Sequence, residues 1–130
     1  ENSLYNTPPV FAIYVVKLVM EWIKGKGGLD AVEKQNAQKA ALLYGCMDKY
    51  SDYYKGTVTD KGSRSWMNVT FRMPSEELEA KFIKEAAAAS FHGLKGHRSV
   101  GGIRVSMYNA LEPAGIEALV KFMEEFKKKN

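Results

Sequence analysis

One stretch of ten residues holds most of the anion-binding chemistry in this sequence. "KGHRSVGGIR", residues 95–104, sets Lys95, His97, Arg98 and Arg104 around Gly96, Gly101 and Gly102. The 130 residues contain only four arginines and two histidines, so half of each fall here. A guanidinium offers a planar fork that grips carboxylate or phosphate, with each charge-assisted hydrogen bond worth about 1.5–3 kcal/mol. Glycines let the backbone approach a ligand closely. Ile103, Val105 and Met107 alternate with Arg104, Ser106 and Tyr108, so Arg104 faces away from the apolar side of its own strand. If that second face borders a cleft, an unpaired guanidinium there calls for an anion. If it borders open water, Arg104 is an ordinary surface residue. Spacing alone leaves an anion seat and a solvated hairpin equally open.

Other candidates carry weaker signals. Asn6 and Thr7 in "NTPP" stand where a helix opens, beside the free N–H groups that favour phosphate. The motif by itself favours an ordinary N-cap. "YSDYYKG" mixes aromatics with one lysine but belongs to no wider basic stripe, which is thin support for RNA binding. His92 reads as structural, and nothing marks a hydrolytic triad. With two histidines and the single Cys46 there is no metal-ligand spacing.

These residues must be positioned by a mixed set of elements. Val10, Phe11, Tyr14, Val15, Leu18, Val19, Trp22 and Ile23 recur at helical spacing, with Thr7 as expected N-cap, Pro8 at the first helical position and Gly27-Gly28 as the stop. A second helix is expected from Asp30, where Asp30 and Glu33 have capping-box spacing, carrying Val32, Asn36, Ala40, Leu43, Tyr44 and Met47. In "WMNVTFRM" the period becomes two, with Met67, Val69, Phe71 and Met73 on one side. Pro74-Ser75 opens a third helix with a stripe of Leu78, Phe82, Ile83, Ala86 and Ala89. A short strand is expected at Phe91–Lys95, a clearer one at "GGIRVSMYN", and a last helix from Pro113 on Ile116, Leu119, Val120 and Met123. The order predicts a two-layer α/β sandwich with helices over one face of a small sheet.

Composition sets the outer limits. Apolar residues make up 45% and charged residues 26%, as in an ordinary globular domain. A net charge of +4 suits small anions and argues against a dedicated nucleic-acid partner. The longest apolar run, broken by Lys17 and Glu21, is too short for a bilayer, so no membrane partner is expected. No secretory signal is read, and the lone cysteine suits a reducing compartment, making the cytoplasm the expected location. The opening "ENSLYNTPP", with no methionine, reads as a segment beginning partway through a larger protein, though tag removal or maturation would give a similar start.

Taken together, "YNTPP", "GGLDAVEKQNAQKAALLY", "RSWMNVTF" and "LKGHRSVGGIRVSMYNA" resemble the C-terminal part of the phosphoserine aminotransferase family over essentially all 130 residues. The resemblance implies a homodimeric enzyme dependent on pyridoxal phosphate, with the small α/β domain of such aminotransferases preceded by helices linking to a large domain. It implies small-molecule substrates in serine biosynthesis, with glutamate and 3-phosphohydroxypyruvate exchanging an amino group to give 2-oxoglutarate and phosphoserine. His97 and Arg98 then match the pair that holds the substrate phosphate, and Arg104 the arginine for its α-carboxylate. Asn6 and Thr7 match the pair that reaches the cofactor phosphate of the other subunit. Thr70 departs from the commoner "MNVPF" form, which bears on strand geometry rather than chemistry.

The same resemblance implies an absence. The lysine that forms the Schiff base, the aspartate beside the pyridine nitrogen and the aromatic residue stacked on the ring lie upstream in the family. None of the fifteen lysines here stands in that context, so no catalytic residue and no binding of the cofactor by the segment alone are expected. Residues 1–28 are expected to end the large domain, 29–50 to connect and 51–130 to form the small domain. Two other readings stay open: a related aminotransferase of small unphosphorylated amino acids, against which His97-Arg98 argues, and a free-standing anion-binding or interaction module.

Overall fold

Residue 2 and residues 5–130 are described by the structure, a computed structural model; Glu1, Ser3 and Leu4 of the opening stretch lie outside the described residues. The chain divides into two units, Glu1–Lys34 and Gln35–Asn130.

In the first unit, helix α1 spans Val10–Gly25. It begins two residues later than the sequence suggests, and its N-cap is Pro9 rather than Thr7. The reason is steric: Pro9 pushes Pro8 out of the helical region, so Pro8 cannot be the first helical residue that a Thr7 cap requires. The helix ends as expected, with Gly27 N–H donating to the Lys24 carbonyl (3.1 Å) and Gly28 N–H to that of Ile23 (3.0 Å). No residue of α1 is buried. Helix α2, Leu29–Lys49, starts before Asp30, which lies in its first turn instead of capping it. Val32 N–H already bonds back to the Gly28 carbonyl, which sets the helical frame ahead of the predicted box.

The second unit contains the rest of α2, a three-stranded antiparallel sheet and two further helices. Strands β1 (Lys55–Gly56), β2 (Asn68–Arg72) and β3 (Ile103–Ser106) pair in the order β1-β2-β3. Helix α3 (Glu76–Ala88) lies between β2 and β3 in the chain, and α4 (Pro113–Lys129) follows β3. Ser75 caps α3, its Oγ accepting from Leu78 N–H at 3.3 Å. Ala89, placed by spacing on the α3 stripe, is instead its exposed C-cap.

Val69, Phe71, Ile103 and Val105 bury the apolar face of the sheet against Leu43 and Met47 of α2, Phe82 and Ala86 of α3, and Ile116, Leu119, Met123 and Phe126 of α4. At its centre Phe82 meets Phe71 and Phe126 edge-on, with ring centroids 6.2 and 5.1 Å apart. The helices therefore cover one face of the sheet, as a two-layer α/β arrangement requires. The other face carries Asn68, Thr70 and Arg72 of β2 beside Arg104 and Ser106 of β3.

The strand expected at Phe91–Lys95 does not form; only Lys95 makes a bridge, opposite Ile103. Ser90 and Gly93 both have positive φ, 68° and 74°, which turns the chain before it can extend.

Candidate functional site

The basic cluster is built on the edge of the sheet. Arg104 stands opposite Thr70 in the β2–β3 register. Its N–H points away from β2 and donates to the Leu94 carbonyl at 2.8 Å. Thr70 and Arg104 are thus a non-hydrogen-bonded pair, the arrangement that brings facing side chains close together. Thr57 extends the β1 edge, its N–H on the Thr70 carbonyl at 3.1 Å and its hydroxyl against that of Thr70.

Before β3 the chain folds into a tight turn. Val100 and Gly101 N–H both donate to the His97 carbonyl, at 3.0 and 2.8 Å. Gly96 N–H donates to the Gly102 carbonyl at 2.8 Å, and a Cβ on Gly96 would lie 2.0 Å from the Gly101 carbonyl oxygen, so no other residue fits there. Gly102 has φ +75° and would bring a Cβ within 2.8 Å of the Phe71 carbonyl oxygen. The glycines are therefore structural requirements of the turn, whatever a ligand demands.

The turn also orients His97. Ser99 N–H donates to Nδ1 at 3.3 Å and the Ser99 hydroxyl lies 2.7 Å from the same nitrogen. A backbone N–H can only donate, so Nδ1 is the acceptor and the ring proton sits on Nε2, free to donate outward.

His97 and Arg104 line one cleft of about 180 Å³ with Thr57, Thr70, Arg72 and Val100. Arg98 is exposed on the turn itself and does not line that cleft. Among the described residues neither the Arg98 nor the Arg104 guanidinium has a hydrogen-bond or ion-pair partner. Arg104 also borders a larger groove of about 520 Å³, lined by Phe91, Leu94, Leu111, Ile116 and Leu119. His92, expected to be structural, is exposed on that groove.

Asn6 and Thr7 belong to the first unit and are exposed. No side chain caps α1, and Pro8 and Pro9 have no N–H to offer. Among the described residues the Asn6 and Thr7 side chains have no hydrogen-bond partner, so they are not consumed as caps. Exposed polar side chains beside the uncapped start of α1 fit a phosphate group.

Three groups that matter to this site gave no signal in the sequence. Arg72 donates through Nε to the buried Glu79 carboxylate (2.7 Å) and through Nη1 to the Val100 carbonyl (3.0 Å). Glu79 also accepts from Met73 N–H at 3.1 Å. Lys39 is fully buried, and its Nζ donates to the carbonyls of Met107 (3.2 Å), Tyr108 (2.7 Å) and Leu111 (3.0 Å). It thereby ties α2 to the exit of the strand that carries Arg104. Burial pushes the Cys46 thiol up to about 11, so it is not a thiolate near neutral pH. Among the described residues no group of three His, Cys, Asp or Glu could hold a metal ion, and no helix is long and apolar enough to cross a membrane.

Comparison with known proteins adds a second line of argument. The sequence profile of the family aminotransferase class-V matches residues 1–119. A phosphoserine aminotransferase of Desulfatibacillum aliphaticivorans is 58% identical over 131 residues, covering 100% of this chain and 36% of the relative. That of Bacillus subtilis (strain 168) is 51% identical over 99% of this chain and 36% of its own length. Among solved structures, phosphoserine aminotransferase from Bacillus circulans subsp. alkalophilus superposes with a TM-score of 0.90 at 54% identity, over 98% of this chain and 35% of that one. A phosphoserine aminotransferase with bound PLP from Trichomonas vaginalis gives 0.81 at 37% identity, over 95% of this chain and 35% of that one. The chain thus spans about 36% of the length of the curated relatives it matches.

Proposed function

This chain belongs to the class-V aminotransferases, and from that premise we propose that it supplies the substrate-binding part of a phosphoserine aminotransferase subunit. The observation that carries the reading is a pair of guanidiniums that lack any counter-charge among the described residues, Arg98 next to His97 on the turn and Arg104 lining the same cleft as His97. A substrate with an anion at each end, such as phosphoserine, satisfies both. His97 and Arg98 take its phosphate, and Arg104, on the rigid strand, takes its α-carboxylate. Similarity to phosphoserine aminotransferases over 98–100% of the chain supports the same assignment.

The reaction moves an amino group: phosphoserine and 2-oxoglutarate exchange with 3-phosphohydroxypyruvate and glutamate. Pyridoxal phosphate, when bound, supplies the electron sink for the proton shift. Asn6 and Thr7 are the residues of this chain that hold its phosphate, across a homodimer in our reading. Arg104 and the His97-Arg98 pair fix both ends of the substrate, so the bond to the α-hydrogen is presented in one orientation. We assign residues 1–28 to the end of a large domain, 29–50 to a connecting helix and 51–130 to a small domain. The fifteen lysines here include none assigned to the chemistry, and the 130-residue segment by itself should not turn over.

The test is specificity in the complete subunit. Arg98→Ala should lower kcat/KM for phosphoserine by about 10- to 100-fold, the loss of one or two charge-assisted hydrogen bonds. The value for unphosphorylated serine should stay within about threefold. Equal losses on the two substrates would remove the phosphate assignment.

A further inference from the structure

The turn that carries His97 and Arg98 has almost no packing of its own. Residues 97–101 are exposed, and the turn closes on its own His97 carbonyl. Among the described residues one side chain from outside the turn reaches it by hydrogen bond: Arg72, whose Nη1 donates to the Val100 carbonyl at 3.0 Å. Arg72 is itself immobilised. Its Nε is 2.7 Å from the Glu79 carboxylate, whose side chain is only 7% exposed, and its Nη2 lies 3.5 Å from Glu76. Glu79 is anchored in turn by the Met73 N–H at the end of β2. A Cβ on Gly101 would lie 3.2 Å from Arg72 Nη1, so the guanidinium and the turn are in close contact.

We propose that Arg72 is a positioning residue for phosphate recognition: with Glu79 behind it, its fork holds the Val100 carbonyl and thereby fixes the turn that presents His97 Nε2–H and the Arg98 guanidinium to the substrate phosphate. The proposal rests on the phosphate reading of His97 and Arg98 given above. The paired carboxylate matters to the argument. Glu79 neutralises Arg72 at one edge, leaving the cation to act by geometry at the other, where it meets a carbonyl. A lysine carries its three donors on one atom, so it lacks the planar fork that meets the carboxylate at Nε and the carbonyl at Nη1. Arg104 needs no such support, since β3 pairs with β2 along four residues.

The experiment uses the complete, cofactor-loaded subunit and three proteins: the parent, Arg72→Lys and Arg98→Ala. Arg72→Lys should raise KM for phosphoserine about tenfold, the loss of one well-placed charged contact. Its kcat for phosphoserine and its kcat/KM for serine should stay within about twofold of the parent. Nitrogen-15 NMR of the His97 ring should show the proton on Nε2 in the parent and a mixture of tautomers in the variant. Three results overturn the proposal: a lysine variant with parental KM for phosphoserine, equal loss on both substrates, or an unchanged His97 ring. Arg98→Ala separates the two layers of argument. If it abolishes the preference for phosphoserine while Arg72→Lys leaves it intact, the phosphate reading stands and the clamp fails. If it leaves the preference intact, the phosphate reading fails and the clamp with it. Should Arg72→Lys not fold, Arg72→Gln with Glu79→Gln leaves no buried charge unpaired and allows the same comparison.

Discussion

Helices α1 and α4 are nearly the same length, 16 and 17 residues, and both are rich in apolar side chains, yet they end in opposite environments. In α4 the apolar positions form one stripe, Ile116, Leu119, Met123 and Phe126, and all four are buried. In α1 they run round the helix, with Val10, Phe11, Ile13, Tyr14, Val15, Val16, Leu18, Val19, Met20 and Trp22 all exposed. A stripe needs one surface to cover it, and the sheet provides that. A helix apolar all round is suited to enclosure within a larger core. The difference shows that periodicity decides whether a segment becomes a helix, while burial depends on what else is folded against it. It also fits our assignment of residues 1–28 to the end of a large domain.

The sharpest way to break this comparison is to truncate one aromatic on each side of it. Phe82 is fully buried between Tyr54, Phe71, Phe122 and Phe126. Phe82→Ala should cost about 3–5 kcal/mol in urea unfolding of the 130-residue chain, as large-to-small changes in a packed core do. Phe11 is 80% exposed, and Phe11→Ala should cost under about 0.5 kcal/mol. Comparable losses at the two positions would mean that α1 is packed after all.

A second prediction moves from apolar to polar burial. Lys39→Met removes an ammonium that satisfies three carbonyls in the connection from β3 to α4, and should cost about 2–3 kcal/mol by the same measurement. Lys24→Met, on exposed α1, should change stability by under about 0.5 kcal/mol. A neutral Lys39→Met would show that those carbonyls find water instead.

Lys39 also marks where reading the sequence stops being sufficient. The alternation of β2 and β3, the Ser75 cap and the α4 stripe are local patterns, and each element forms where the pattern places it, although β3 is shorter than "GGIRVSMYN", beginning two residues later and ending three earlier. That Arg104 faces away from the core followed from the same alternation. Lys39, Arg72 and Glu79 are polar residues that local rules send to solvent. Lys39 and Glu79 are buried and Arg72 is held in place by partners 68–72, 7 and 28 residues away in the chain. Strand β1, at two residues, is too short to carry a period, and Pro9 overrode the Thr7 cap through a clash between neighbours. So the types and the facing of the candidate anion-binding residues could be read directly, while the framework that holds them could not.

The smallest expected effect concerns charge, and it sharpens the same contrast. Asp48 receives both Nη groups of Arg64, at 2.9 and 2.7 Å, and lies 3.1 Å from Lys61 Nζ. The Arg64 hydrogen bonds, with Lys61, hold its carboxyl down at about 2, against an ordinary 3.8. A depressed carboxyl stabilises the fold above its unfolded value and loses that contribution as it protonates, so the effect should be complete above about pH 4 and fade as pH falls through about 2. Because the Asp48 side chain is still 37% exposed, screening keeps the contribution under about 1 kcal/mol. The measurement is urea unfolding of the parent and Asp48→Asn at pH 5 and pH 2, where the parent's advantage should be present in full at the first and mostly lost at the second. An advantage that persists at pH 2 would mean that the pair acts through packing of Arg64 on the Tyr44 ring, 4.6 Å away, more than through charge. In α1 the counterpart is Lys17–Glu21, a 3.3 Å pair exposed on both sides, worth only a few tenths of a kcal/mol. The ion pair that matters is again the one in the second unit, because it pins the chain between α2 and β2 instead of decorating a helix that is already formed.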